Sequence, residues 1–138
     1  MIIDSSALIA ITFGEGGWEE LLEAIDQSPA ACIPAPVLTE TRLVVGGRRH
    51  EHLAAADDLL EALIEKGVAV IPFNHGHADL TRRARDRYGK GNGRGGLLNF
   101  GDLMVYAVAK ERGEPLLCTG GDFATTDLDI HPASRLDR

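Results

Sequence analysis

Short apolar runs alternate along this chain with longer segments whose apolar positions recur three and four residues apart. Ile2-Ile3 is the first run, closed at once by Asp4, Ser5 and Ser6. An apolar run bounded by polar residues reads as a buried strand, and a serine after it starts a helix through Ala7, Leu8 and Ile11. Residues 12–17 are a breaker cluster rich in glycine. Trp18, Leu21, Leu22 and Ile25 then fall at i, i+3, i+4 and i+7, one face of a helix ending near Ser28-Pro29. Ala31-Cys32-Ile33 predicts a second strand. Pro36 suits the first turn of the next helix, where its missing N–H is not needed, and Gly46-Gly47 is expected to stop it. Residues 51–66 carry Leu53, Leu60, Leu63 and Ile64 on one stripe, and Gly67 ends that helix.

Val68-Ala69-Val70-Ile71 predicts a third strand, and Asp79 to Tyr88 a basic helix running into the glycine-rich loop 89–96. That loop is no phosphate-binding Walker motif, because its lysine precedes most of the glycines and no Ser or Thr follows it. Asn99-Phe100-Gly101-Asp102 opens a helix that is apolar nearly all round, the mark of a helix packed against a sheet. Leu116-Leu117-Cys118 is a fourth strand, with a fifth expected at the edge from Leu128 to His131. Strands alternating with helices imply βαβ units. The fold class is therefore α/β, a three-layer α/β/α sandwich around a parallel sheet of four to five strands, in one domain over residues 1–138.

Composition narrows this picture. A chain of 138 residues with 44% hydrophobic content can bury a real core. Its net charge of −7 disfavours nucleic acid unless positive charge is concentrated locally. Cys32 and Cys118 each lie in an apolar run and fit no zinc spacing, so buried thiols in a reducing cytoplasm are expected. The first strand begins at Ile2, which leaves no leader segment to expect, and no apolar run approaches the length of a membrane span.

Four carboxylates carry the candidate chemistry. Asp4 follows the first strand, and Glu40 lies on the helix after the second, its side chain leaning back toward the strand end. Asp102 stands in the first turn of the apolar helix, and Asp122 follows the fourth strand. A parallel sheet opens all its strand C-termini on one edge, so these acids can converge there. Each also has a local explanation: Asp4 as a helix cap, Asn99 and Asp102 as a capping box, Asp122 as a turn residue, Glu40 as an exposed helix position. If they converge, like charges need protons or a cation, and an all-oxygen ligand set favours Mg²⁺ or Mn²⁺. Such a site can hold a phosphodiester and activate water for in-line displacement. Neither a Ser–His–Asp nor a Cys–His pairing suggests itself, and the five histidines read as surface or loop positions.

Arg82, Arg83, Arg85, Arg87, Lys90 and Arg94 are six of the fourteen Lys and Arg residues. They form a positive arm suited to a phosphate backbone, against the plainer reading of a solvated helix face. Arg42, Arg48 and Arg49 are weaker candidates for the same work. Aromatic residues are few, so base stacking is not an obvious recognition mode.

The opening Ile2-Ile3-Asp4-Ser5-Ser6-Ala7-Leu8, the Glu40 helix, Asn99-Phe100-Gly101-Asp102 and Leu116-Leu117-Cys118-Thr119-Gly120-Gly121-Asp122-Phe123 together resemble a PIN domain. More narrowly, the chain is similar to VapC-type toxins of prokaryotic toxin–antitoxin pairs. The resemblance implies an Mg²⁺- or Mn²⁺-dependent endoribonuclease, usually a homodimer, inhibited by a cognate antitoxin protein. It implies Asp4, Glu40, Asp102 and Asp122 as the acidic cluster, Ser6 and Thr119 as polar neighbours, and Asn99 as a brace. Asp127 ranks below these as a further acid. A phosphoaspartyl hydrolase of the haloacid dehalogenase type needs a second Asp where Ser6 stands, and a receiver-type domain needs a strand-end lysine absent here. The remaining alternative is a non-catalytic RNA- or partner-binding module that keeps the acids as a metal-stabilised scaffold.

Overall fold

The structure, a computed structural model, describes residues 1–137. Four strands, β1 (Ile2–Ile3), β2 (Cys32–Pro34), β3 (Ala69–Ile71) and β4 (Leu116–Leu117), form one parallel sheet in the order β3-β2-β1-β4. The helices are α1 (Ser5–Phe13), α2 (Trp18–Gln27), α3 (Ala35–Arg48), α4 (Leu53–Glu65), α5 (His75–Tyr88) and α6 (Phe100–Arg112), with a 3-10 turn at His50–His52. Ile2 pairs with Cys32 on one side and Leu116 on the other, so β1 is central. Strands this short gain little from their hydrogen-bond ladders. Burial holds them: Ile2, Ile3, Ile33, Leu116 and Leu117 are fully enclosed, each such side chain contributing about 1.5–3 kcal/mol. Among the described residues no helix is long and apolar enough to cross a membrane.

The chain steps from β1 to β2 and β3 on one side, then crosses back to place β4 on the other. The crevice at the carboxyl ends of β1 and β4 is thus the point where strand order reverses, the usual ligand position in an open parallel sheet. Helix α6 is inserted behind it, burying Val105, Tyr106, Ala107, Val108 and Ala109. Cys32 and Cys118 are buried free thiols, as their apolar surroundings suggested.

Four sequence expectations need correction. Helix α3 does not stop at Gly46-Gly47 but runs to Arg48. A side chain at 46 would press on Leu53, so glycine there serves the close approach of α4 instead of ending the helix. Helix α5 begins at His75, ahead of the expected Asp79, because Asn74 and His77 form a reciprocal capping box. His77 is no loop histidine: it is 1% exposed, its Nδ1 accepting the Asn74 N–H while its Nε2 meets the Glu111 carboxylate. Finally, the segment expected as a fifth strand makes one isolated bridge, Ile130 to Leu116. Beyond it the next ladder donors go to side chains, the Ala133 N–H to His131 Nδ1 and the Cys118 N–H to the Ser134 hydroxyl.

Candidate active site

Asp4 is built by the strand-to-helix junction itself. It is extended in backbone and caps α1, with Oδ2 accepting the Ser6 N–H at 3.1 Å and the Ser6 hydroxyl at 2.5 Å. The capping interpretation is therefore correct for one oxygen. The other, Oδ1, is buried and has no hydrogen-bond partner. The Ser6 hydroxyl also accepts the Thr119 N–H at 2.9 Å, tying the end of β1 to the end of β4. Glu40 is half-buried on α3 and accepts a hydrogen bond from the Ser5 hydroxyl. At the start of α6, Asn99 Oδ1 accepts the Asp102 N–H at 2.9 Å while Asp102 Oδ2 accepts the Asn99 N–H at 3.1 Å. Cap and site thus share one carboxylate, and the cap fixes where it points.

These side chains line one cavity of about 420 Å³. Its wall includes Asp4, Ser6, Glu40, Asn99, Asp102, Thr119 and Asp122, together with Ser5, Glu15 and Arg48. A larger concavity, about 750 Å³, lies at the opposite edge of the sheet beside Met1, Ala30 and Pro115, with no comparable gathering of carboxylates. Gly101 matters to the geometry of the acidic cavity. A Cβ there would run into the Glu40 carboxylate, so the absence of a side chain lets α3 and the start of α6 bring Glu40 and Asp102 together.

The acids perturb one another. Burial, against the pull of the Ser6 hydrogen bonds and helped by the Glu40 charge, pushes Asp4 up to about 6. Asp102 is pushed up to about 7 by burial, against its Asn99 hydrogen bond, and further by Asp4, Asp122 and Glu40. Two carboxyls pushed upward in one cavity mark it as the candidate functional site. Among the described residues no three acidic, thiol or imidazole groups close on a common point. The set matches a hard ion that takes one or two carboxylates and keeps its waters, with Asp4 Oδ1 a buried oxygen without a hydrogen-bond partner.

Asp127 is elsewhere. Its carboxylate accepts from the Tyr106 hydroxyl at 2.6 Å and from Lys110 at 2.8 Å, with Arg87 at 3.7 Å. Burial notwithstanding, these cations and donors hold it below the usual carboxylate range. It clamps the C-terminal segment to α5 and α6. Of the positive arm, none of Arg82, Arg83, Arg85, Arg87, Lys90 and Arg94 lines the cavity; all are exposed, Arg85 beside Asp86 and Arg87 stacked on Tyr88. Arg48, ranked lower from sequence, is the cation on the cavity wall. The sequence named it only among the weaker candidates, because its position depends on α3 running past two glycines.

Comparison with known proteins places this architecture. The PIN domain profile matches residues 1–128. The chain is 38% identical over 133 residues to Ribonuclease VapC42 of Mycobacterium tuberculosis, covering 96% of this chain and 98% of that protein. It is 40% identical over 132 residues to Ribonuclease VapC36 of the same organism, covering 94% and 92%. Among solved structures, M. tuberculosis VapC20, described as a Sarcin-Ricin loop cleaving toxin, superposes with a TM-score of 0.68 at 22% identity over 92% of this chain and 95% of that one. A toxin–antitoxin complex from Klebsiella pneumoniae gives 0.70 at 19% identity over 95% and 96%. With the fold, the junction-held acids and these relatives in agreement, the chain belongs to the PIN-domain family and, within it, to the VapC group.

Proposed function

We propose that this protein is a divalent-metal-dependent endoribonuclease that acts as the toxin of a toxin–antitoxin pair. The observation that carries the reading is the orphaned, buried Asp4 Oδ1 in a cavity shared with Glu40, Asp102 and Asp122. Asp4 and Asp102 would hold the ion, Mg²⁺ or Mn²⁺, with Asp122 and Glu40 at its flanks. When bound, the ion supplies compensating charge and Lewis acidity for in-line displacement at phosphorus. The chain's own residues do the positioning. Ser6 holds Asp4 and the end of β4 in register, Asn99 fixes Asp102, and Ser5 fixes Glu40. Glu40, half-buried and anchored by the Ser5 hydroxyl, is suited to take a proton from attacking water. The exposed arginines of α5 provide the outer electrostatic attraction for RNA.

Relatives named as ribonucleases support the activity, and similar folds solved as toxin–antitoxin complexes support an antitoxin protein as partner. A homodimer is proposed with it. The test is a Mn²⁺ titration on a mixture of structured RNAs, comparing wild type with Asp4→Asn. Metal-dependent cleavage that disappears in the variant supports the enzyme, whereas binding without cleavage in both proteins refutes it in favour of a non-catalytic module.

A further inference from the structure

Beside the acidic cavity lies a second groove of about 380 Å³, lined by Phe13, Glu15, Arg48, Arg49 and His52. The two share Glu15 and Arg48, so they are continuous. Three separate elements build this groove. Phe13 ends α1, Arg48 and Arg49 close α3, and His52 lies in the 3-10 turn. Gly46 allows the chain after that turn to come in against α3, which sets His52 edge-on to Phe13 with ring centroids 5.2 Å apart. The Arg48 guanidinium lies over the Phe13 ring at 5.9 Å and faces Glu15 at 3.7 Å.

We propose that this groove is an RNA subsite that takes the nucleotide next to the scissile phosphodiester. Its phosphate would meet Arg48 and Arg49, and its base the Phe13–His52 pair. This rests on the ribonuclease reading above and adds the substrate contact that reading lacks.

Three observations favour a nucleotide. First, Arg48 is the cation on a cavity wall otherwise rich in carboxylates, so a phosphate entering there finds its positive partner on this side. Second, arginine side chains beside two aromatic rings offer both of the contacts that single-stranded nucleic acid uses, phosphate pairing and base stacking. Third, the Arg48 side chain is itself 59% exposed and meets Glu15 only at 3.7 Å, and such solvent-exposed pairs contribute about 0–1 kcal/mol. A bidentate phosphate contact is stronger, so Arg48 can leave Glu15 when RNA arrives. The two arginines also offset the negative end of α3, which alone would repel a phosphate.

The test uses a fluorescein-labelled single-stranded RNA oligomer, with anisotropy measured in Ca²⁺ over a range of KCl for wild type, Arg48→Ala, Arg49→Ala and His52→Ala. A parallel Mn²⁺ assay scores cleavage by wild type. The expected result is an affinity loss of about tenfold for Arg49→Ala and for His52→Ala at unchanged melting temperature. Each arginine removed should also flatten the log–log salt slope by about 0.7. Affinity and slope equal to wild type in all three variants would overturn the subsite. If those variants instead lose a protein partner, the groove is a protein surface and the inference is equally overturned. If wild type cuts no RNA yet the variants lose binding, the ribonuclease reading falls, and with it the placement beside a scissile bond, while the groove stands as an RNA-binding site.

Discussion

Replacing Asp4 with asparagine should make the metal-free protein more stable, though the residue caps a helix and sits at the centre of the site. Burial has displaced the carboxyl from 3.8 to about 6. At about 1.4 kcal/mol per pH unit, that corresponds to about 3 kcal/mol of disfavoured charge whenever the group is ionised. Asparagine keeps an oxygen to accept the Ser6 N–H, so the cap, worth about 1 kcal/mol, survives. Some of the gain is lost to an amide without partners where Oδ1 stood. In a chain of this size, about 3 °C accompanies each kcal/mol, so a rise of about 3–8 °C is expected at pH 8 in chelator. The sign with pH follows from the raised value. The folded state holds the proton more tightly than the unfolded one, so the charge penalty is complete above about 7. It fades as pH falls through about 6 and is gone below 3.8. Wild type should therefore gain on the variant as pH falls from 8 to 4, measured by thermal melts in EDTA. An Asp4→Asn protein less stable than wild type at pH 8, or a difference that does not shrink in acid, would refute the reasoning.

Saturating Mg²⁺ or Mn²⁺ should raise the melting temperature of wild type at pH 8, and the rise should vanish below about pH 6 as Asp4 and Asp102 take protons, followed by calorimetry. Gly101→Ala would normally stabilise a helix by about 0.5–1 kcal/mol. Here it should instead displace the Glu40 carboxylate and lower kcat at least tenfold in an RNA cleavage assay. His77→Ala removes a buried ring and half of the α5 capping box, for an expected loss of about 2–4 kcal/mol in urea denaturation, with residual activity per folded molecule retained. Reversing Arg82, Arg83 and Arg85 to Glu should weaken RNA binding and flatten its salt dependence; an unaltered slope would reduce the arm to a solvated face.

The sequence alone determined the α/β class, the alternation of strands and helices, and the acids whose position at a strand end is a local matter. Asp4 follows Ile2-Ile3 and Asp102 follows an N-cap asparagine; such junctions are written in adjacent residues, so they were legible. Hydrophobic periodicity is likewise local and marked α2, α4 and α6 correctly. What it could not carry is any distance between segments far apart in the chain. That Asp127 pairs with Tyr106 and Lys110, that His77 is buried against Glu111, and that Arg48 reaches the acidic wall all depend on packing across elements. The same holds for glycine. At 46 it looked like a helix stop and at 101 it was one letter of a helix-opening motif, yet each is needed because another element comes too close for a side chain. Local pattern records what a residue prefers; only the folded chain decides which neighbour it must accommodate.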